Sequence, residues 1–347
     1  MIMPNTEYTD TVGIGGAPGF TYTASRKSFV LPHGYLGYNK DELPVAFSLA
    51  INTPFGLSTD WRNSGAPFST TALALKVPAL AAATATYTRI QMINFNPSMA
   101  VRVNDVFAFA LGVDHYRVMN ANMDNPFMRF SGSGGGWGYN FSVLYRSGNV
   151  GIGASYRSQV KTKLTGTAVY PLGQPPLLPA GFSTSGSTTI KFPDMFNFGV
   201  SYRIDPRLLL SLDIDWVNWA TYKTLLIEQP ALGAAGTLPV VNNWNDIVDF
   251  RVGAEWSFDA ATRLRLGYVY DPTPIDPAYF TPRIPGNRRQ LFNIGLGYDF
   301  DKATTLDVAY SYVAIAERSQ TASKAVFYNG KYKSNAHILA ASVTHRF

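Results

Sequence analysis

Arg157, Gln159, Lys161 and Lys163 recur at two-residue spacing in a stretch whose even positions include Val150, Ile152, Ala154, Tyr156, Val160 and Leu164. Alternation in an extended chain puts all four polar side chains on one face. A guanidinium beside an ammonium suits the holding of a carboxylate, because a carboxylate out of water needs a paired positive charge and arginine offers two parallel donors. Arg157 and Lys161 are therefore the candidate pair for an anionic head group. Asp213, Asp215, Asp249, Arg251, Glu255, Arg263, Arg265 and Asp307 take the same polar parity in their own stretches. For any one of these residues the commoner role is structural, opposite charges facing each other across a narrow interior. Catalytic chemistry has little to build on. His33, His115, His337 and His345 are scattered, and no Ser-His-Asp or His-Glu-x-x-His arrangement is present. Gly132-Ser133-Gly134-Gly135-Gly136 reads as a flexible loop before a strand, not as a phosphate cradle. The sequence predicts no enzyme, no metal site and no cofactor.

A second set of candidates is apolar and sits between the alternating stretches. Phe55, Leu57, Trp61 and Phe68 fall in one connection, Met119, Met123, Phe127, Met128 and Phe130 in the next, and Leu172, Leu177, Leu178 and Phe182 in a third. Such residues either pack on one another over a mouth or form a landing groove for a greasy ligand, to which adaptable methionine is suited. Phe55, Leu57, Met123, Phe127, Met128 and Phe130 are the candidates for the groove.

The elements that must carry these residues are strands. The 347 residues are 46% hydrophobic and 14% aromatic but only 15% charged, against roughly 25% charged in soluble domains. Mean hydropathy is nonetheless near zero, and no run approaches the ~20 apolar residues of a membrane helix. Alternation reconciles the two, since a strand facing lipid needs an apolar residue only at every second position. The pattern holds over about 30–38, 43–52, 86–102, 106–117, 137–146, 149–165, 188–204, 207–227, 247–258, 263–272, 288–300, 304–315 and 331–347. Tight Asn-, Asp-, Gly- and Pro-bearing turns alternate with long links over 53–85, 118–136, 166–187, 228–246, 273–286 and 316–330. The chain also ends on an alternating strand, Leu339, Ala341, Val343 and Phe347 against Ala340, Ser342, Thr344 and Arg346. Short turns on one rim and long loops on the other mark an all-β, antiparallel transmembrane β-barrel of the outer membrane. The 29 basic residues exceed the 23 acidic by little and form no run, so no nucleic-acid partner is expected. The absence of cysteine suits an oxidising export route.

A closed antiparallel barrel takes an even number of strands, and thirteen are legible. The expectation is that the first strand lies ahead of residue 1, that residues 1–29 are an extracellular loop remnant, and that 30–347 form the barrel. Met1-Ile2-Met3-Pro4-Asn5-Thr6 has neither the basic nor the apolar segment of a secretory signal. A strand hidden in 10–29 or 53–85 is the alternative.

Seven segments in order resemble the FadL/TodX family of outer-membrane transporters for long-chain fatty acids and hydrocarbons. They are Thr53-Pro54-Phe55-Gly56-Leu57-Ser58-Thr59, the run from Asn96 to Asp105, Trp137-Gly138-Tyr139-Asn140-Phe141, Ser155 to Lys161, Phe192-Pro193-Asp194-Met195, Asp215-Trp216-Val217-Asn218-Trp219, and Thr281-Pro282-Arg283-Ile284-Pro285. The resemblance covers about 30–347 and implies a fourteen-stranded barrel plugged by an N-terminal hatch, both hatch and signal peptide preceding Met1. The family's Asn-Pro-Ala hatch motif is absent; Asn96-Pro97-Ser98 lies on a strand and is no substitute. The resemblance further implies passive uptake of fatty acids or hydrocarbons, captured by outer loops, received in a lumen pocket and released laterally near a kinked strand. The expected partners are such hydrophobic small molecules, outer-membrane lipid and lipopolysaccharide, with the protein a monomer. A general diffusion porin is the alternative function, and a purely structural or adhesin-like barrel a third.

Overall fold

The computed structural model describes residues 1–13, 18–40, 43–69, 86–125, 127–173 and 178–347. Strands dominate them, in the order β1 (Ile2–Thr9), β2 (Thr21–Thr23), β3 (Gly34–Asn39), β4 (Val45–Asn52), β5 (Leu57–Asp60), β6 (Tyr87–Arg102), β7 (Phe107–Asp124), β8 (Arg129–Ser147), β9 (Val150–Arg157) and β10 (Val160–Tyr170). There follow β11 (Phe182–Phe192), β12 (Met195–Arg203), β13 (Leu208–Val217), β14 (Thr224–Glu228), β15 (Thr237–Val241), β16 (Ile247–Ser257), β17 (Thr262–Asp271), β18 (Arg289–Asp299), β19 (Thr304–Gln320) and β20 (Gly330–His345).

The strands form one antiparallel sheet. From β3 its neighbours run β4, β6, β7, β8, β9, β12, β13, β16, β17, β18, β19, β20 and β1, fourteen strands in all. β1 also pairs with β2, whose chain leads on into β3, so the first and last strands of the chain are neighbours. The fourteenth strand is thus Ile2–Thr9, not a segment ahead of residue 1. It pairs from Ile2 with Ile338 to Thr9 with Lys331, and Phe29 bridges back to Ile2. Residues 1–29 are therefore not simply a loop, and the boundary expected at 29/30 falls within the sheet. Met3 and Pro4, followed by the polar run Asn5-Thr6-Glu7, mask the alternation of this strand.

The alternation builds an apolar exterior. On β7 Phe107, Phe109, Leu111 and Val113 stand exposed, while Asp114 on the opposite face is fully buried. Trp137, Tyr139 and Phe141 continue the belt on β8, and Leu339 and Val343 on β20. So much contiguous exposed apolar surface matches lipid, not water.

The structure corrects three strand readings. The stretch 149–165 breaks at Ser158 and Gln159. Asn140 faces Arg157 and Gly135 faces Lys163, so β8 advances five residues while the facing chain advances six. One extra residue turns every later side chain to the opposite face. Ser158 settles in the bulge, its Oγ accepting from the Tyr139 N–H at 2.9 Å. The stretch 188–204 breaks likewise at Pro193-Asp194, and 207–227 breaks after Val217. The glycine run at 132–136, read as a loop, lies within β8. There the backbones crowd: a Cβ on Gly134 would sit 1.9 Å from the Lys163 carbonyl oxygen, and one on Gly166 1.9 Å from that of Ser131. Glycine lets β8 and β10 close at this bend.

Candidate functional site

The interior divides along its length. Toward the short-turn rim it carries ion pairs. Arg263 meets Asp299 at 2.6 Å, and Arg265 reaches Glu255 at 2.7 Å and also Asp307. Farther from that rim, near the ends of β13 and β16 away from their short turns, Arg251 bridges Asp215 and Asp249, and Arg289 meets Asp271 where β17 and β18 join the long connection. Of the eight charged residues given inward parity, seven lie in these pairs, which assigns them to bracing the wall; Asp213 forms no ion pair among the described residues.

Arg157 points inward as expected, but its guanidinium is committed to Asp114, 2.5 Å away and fully buried. Asp114 also accepts from Asn94 at 2.7 Å and Asn140 at 2.8 Å. Lys161 does not join Arg157. The bulge at Ser158 puts it on the exposed face of β10 opposite Lys191, with Lys163 exposed beside it. The proposed cationic pair is therefore not assembled.

Toward the long-loop rim the interior turns apolar. Met92, Tyr116, Val118, Val160, Leu164, Ile190, Phe192 and Leu225 are all buried and in mutual contact. The flip that moved Lys161 outward is what turned Val160 and Leu164 in. Phe55, in the interruption between β4 and β5 beside β6, joins them. Its ring stacks on Phe192 at 5.0 Å and meets Tyr116 and Trp219 edge-on at 6.2 and 5.8 Å. Leu57 is half-buried on β5 opposite Ile90.

Above this patch lies a cavity of about 340 Å³ among the long connections, with Met123, Met128, Ile227, Leu238, Phe280 and Tyr328 in its walls. Met123 also packs on the interior patch, and Met128 and Phe130 are buried beside it with Ile227. Phe127 stays half-buried in the turn that Asn125 closes through its Oδ1. Trp61 and Phe68 pack in the neighbouring loop cluster, the Trp61 Nε1 donating to the Pro282 carbonyl at 2.9 Å. Their apolar surface is spent on loop packing, whereas Met123 and Met128 line the cavity, and Met123 and Phe55 both pack against the interior patch. Leu178 is buried beside Tyr170, Leu172 is exposed, and Leu177 lies outside the described residues.

Sequence reading missed Arg283, buried at the cavity wall, Asn242, buried behind it and accepting from its guanidinium at 3.1 Å, and Phe280 and Tyr328. The available signal was a lone cation in an apolar, proline-flanked segment. At the outer end of the wall, past the apolar belt, Asp60 sits under Arg62 and Lys27, each 2.7 Å away. Burial alone would raise its carboxyl, but these hydrogen bonds outweigh it and hold Asp60 down to about 2. Burial pushes nearby Asp124 up to about 6, against the pull of Arg62 and Arg129.

An apolar exterior, a fourteen-strand antiparallel wall, short turns on one rim and an apolar cavity at the other define an outer-membrane β-barrel. Residues 21–347 match the family described as "Outer membrane protein transport protein (OMPP1/FadL/TodX)", and the chain belongs to that family. It is similar to the long-chain fatty acid transport protein of Salmonella typhi, 23% identical over 262 residues, covering 65% of this chain and 60% of that protein. A putative outer membrane protein of Neisseria meningitidis is 21% identical over 241 residues, covering 62% of this chain and 52% of that protein. The chain thus spans about 60% or less of these two curated relatives. Among solved structures, a Pseudomonas aeruginosa FadL homologue superimposes with a TM-score of 0.79 at 19% identity, covering 99% of this chain and 88% of the other. The Ralstonia pickettii toluene transporter TbuX gives 0.65 at 17% identity, covering 100% and 88%. These likenesses establish the barrel, and the family's description is of transport, not catalysis.

Proposed function

We propose that the protein takes up hydrophobic small molecules passively across the outer membrane, drawing on fatty acids or hydrocarbons. The observation that carries this reading is that Met123 both lines the apolar cavity at the long-loop rim and packs against the interior patch around Phe55. A greasy solute would leave the lipopolysaccharide surface for the cavity and descend past Met123. Release would be lateral, beside the interruption at Thr53-Pro54-Phe55-Gly56, where five steps of the β4–β5 chain face four of β6, from Asn52 opposite Asn94 to Leu57 opposite Ile90. Leaving through the wall spares an apolar chain the charged short-turn half of the lumen. The names of the relatives, a long-chain fatty acid transporter and a toluene transporter, support hydrophobic cargo of either kind. The protein would act as a monomer with no energy source. The test is quenching of Trp61, Trp219 and Trp244 fluorescence in nonionic detergent by dodecanoate, toluene and sucrose. Saturable quenching by an apolar solute and none by sucrose is expected. No quenching by either apolar solute, with steady ion conductance in planar bilayers, would favour a diffusion porin.

A further inference from the structure

The bulge that turned Lys161 and Lys163 outward left them on the lipid-facing side of the wall, beside two further cations. Lys161 stands directly opposite Lys191 of β11. Lys163 lies across Gly135 of β8, and Arg117 of β7 lies across the same glycine from the other side. All four basic residues are exposed. Arg117 and Lys163 are two strand spacings apart, about 10 Å, and Gly135 leaves the gap between them without a side chain. Among the described residues none of the four forms an ion pair, although like charges facing each other across strands are unfavourable. Of the acids on adjoining segments, Asp194 is engaged by the Asn218 amide at 2.8 Å, and Glu228 sits opposite Ser187, four residues along β11 from Lys191. At the short-turn rim, by contrast, Asp105, Asp205, Asp259 and Asp301 are interspersed with the basic residues. The level of the patch is set by the apolar belt. Along β7 the outward side chains run Phe107, Phe109, Leu111 and Val113, then His115, whose ring lies 4.2 Å from that of Trp137, then Arg117. The cations thus begin at the outer aromatic edge of the belt, where hydrocarbon gives way to head groups. In the row beyond them Ser133, Thr165 and Ser187 sit side by side.

We propose that Arg117, Lys161, Lys163 and Lys191 form a binding site for the phosphates of lipid A, the membrane anchor of lipopolysaccharide. Charge complementarity carries the choice of a phosphate, which arginine and lysine hold by charged hydrogen bonds. Position carries the choice of lipid: the patch is at the long-loop end, facing the outer leaflet. The four cations span three strand spacings, about 14 Å, wide enough for a head group that bears more than one phosphate. The hydroxyls of the next row suit its sugars, and the belt below, with Leu111, Val113 and Trp137, suits its acyl chains. The inference concerns the outside of the wall and holds whatever the interior carries.

The test is calorimetric titration of the folded protein in nonionic detergent with three lipids: lipid A bearing both phosphates, the same lipid A dephosphorylated, and phosphatidylglycerol. Wild type is expected to bind phosphorylated lipid A more tightly than either of the others. Lys161→Gln combined with Lys163→Gln is expected to weaken the phosphorylated form about thirtyfold, at roughly fivefold per cation beside an anionic surface, and to leave the dephosphorylated form unchanged. Lys302→Gln, in the short turn between β18 and β19, removes the same kind of charge elsewhere and should change nothing. Equal binding of the two forms of lipid A by wild type would overturn the site, as would a double variant that binds like wild type. A loss as large in Lys302→Gln would show attraction by net charge alone and overturn it too. Phosphatidylglycerol binding as tightly as phosphorylated lipid A would overturn the assignment to lipid A. Should the double variant not fold, Arg117→Gln on a separate strand and the wild-type comparison decide in its place.

Discussion

Arg157 and Arg283 show how little a side chain's type says about its role. Arg157 on β9 faces a fully buried carboxylate, whereas Arg283, buried in the connection between β17 and β18, faces an amide, a thioether and a hydroxyl. Removing Arg157 strands Asp114 without its counter-charge, with only the Asn94 and Asn140 amides left to it. Arg157→Ala is expected to destabilise the barrel by about 3–5 kcal/mol, read from urea unfolding, with dodecanoate affinity unchanged; a selective loss of dodecanoate binding would return the head-group role to Arg157. Asp124 gives the pH dependence. Its carboxyl sits near 6 in the folded protein, above the ~3.9 of an unfolded chain, so folding favours its protonated form. Its contribution is fullest below about pH 4 and is lost as pH rises through about 6, roughly 1–3 kcal/mol in all. Asp60 has the opposite sign, its stabilisation present above about 4 and lost as pH falls toward about 2. Asp124→Asn should therefore raise the melting temperature at pH 7.5 but not at pH 4. Equal shifts at both pH values would mean that the burial of Asp124 is not what matters.

At the level of elements, the two-residue period was legible wherever one face meets lipid. Phe250, Val252 and Trp256 of β16 alternate in sequence and stand exposed in the structure. The bulge at Ser158 was not legible, because Val160 and Leu164 continue the apolar even positions without a gap while the face they occupy reverses. Composition cannot register a one-residue insertion between neighbours, and on that insertion hung the placement of Lys161. The glycine run misled for a related reason. Sequence alone treats glycine as freedom, whereas at Gly134 it answers the approach of the Lys163 carbonyl. Gly134→Val is expected to block the closing of β8 on β10, seen as loss of the folded, heat-resistant band on electrophoresis and a drop in correctly inserted protein. At Gly148, in a turn where a Cβ would meet nothing within 4 Å, the same change should cost only the strain of its positive φ.

Over the whole molecule, ion pairs run up the wall from Arg263–Asp299 beside a short turn to Arg289–Asp271 beside a long connection, while aromatic and methionine side chains gather in the apolar patch at the long-loop end. A water-filled porin needs polar groups along its full path; under the proposed uptake an apolar solute would instead follow the apolar patch part-way and leave through the wall. Class and orientation could be read from the turn and loop lengths. The proposed path could not, because Met123 of β7, Ile227 of β14, and Phe55 and Phe280 from two connections lie far apart in sequence and meet only in the folded protein. The most direct measurement is accumulation of labelled dodecanoate and toluene, beside labelled sucrose, by cells whose outer membrane carries this protein and lacks other transporters of these solutes. Faster entry of an apolar compound than in cells without the protein, with sucrose unchanged, is expected. Faster sucrose entry without gain for either apolar compound would contradict an apolar path ending in the wall.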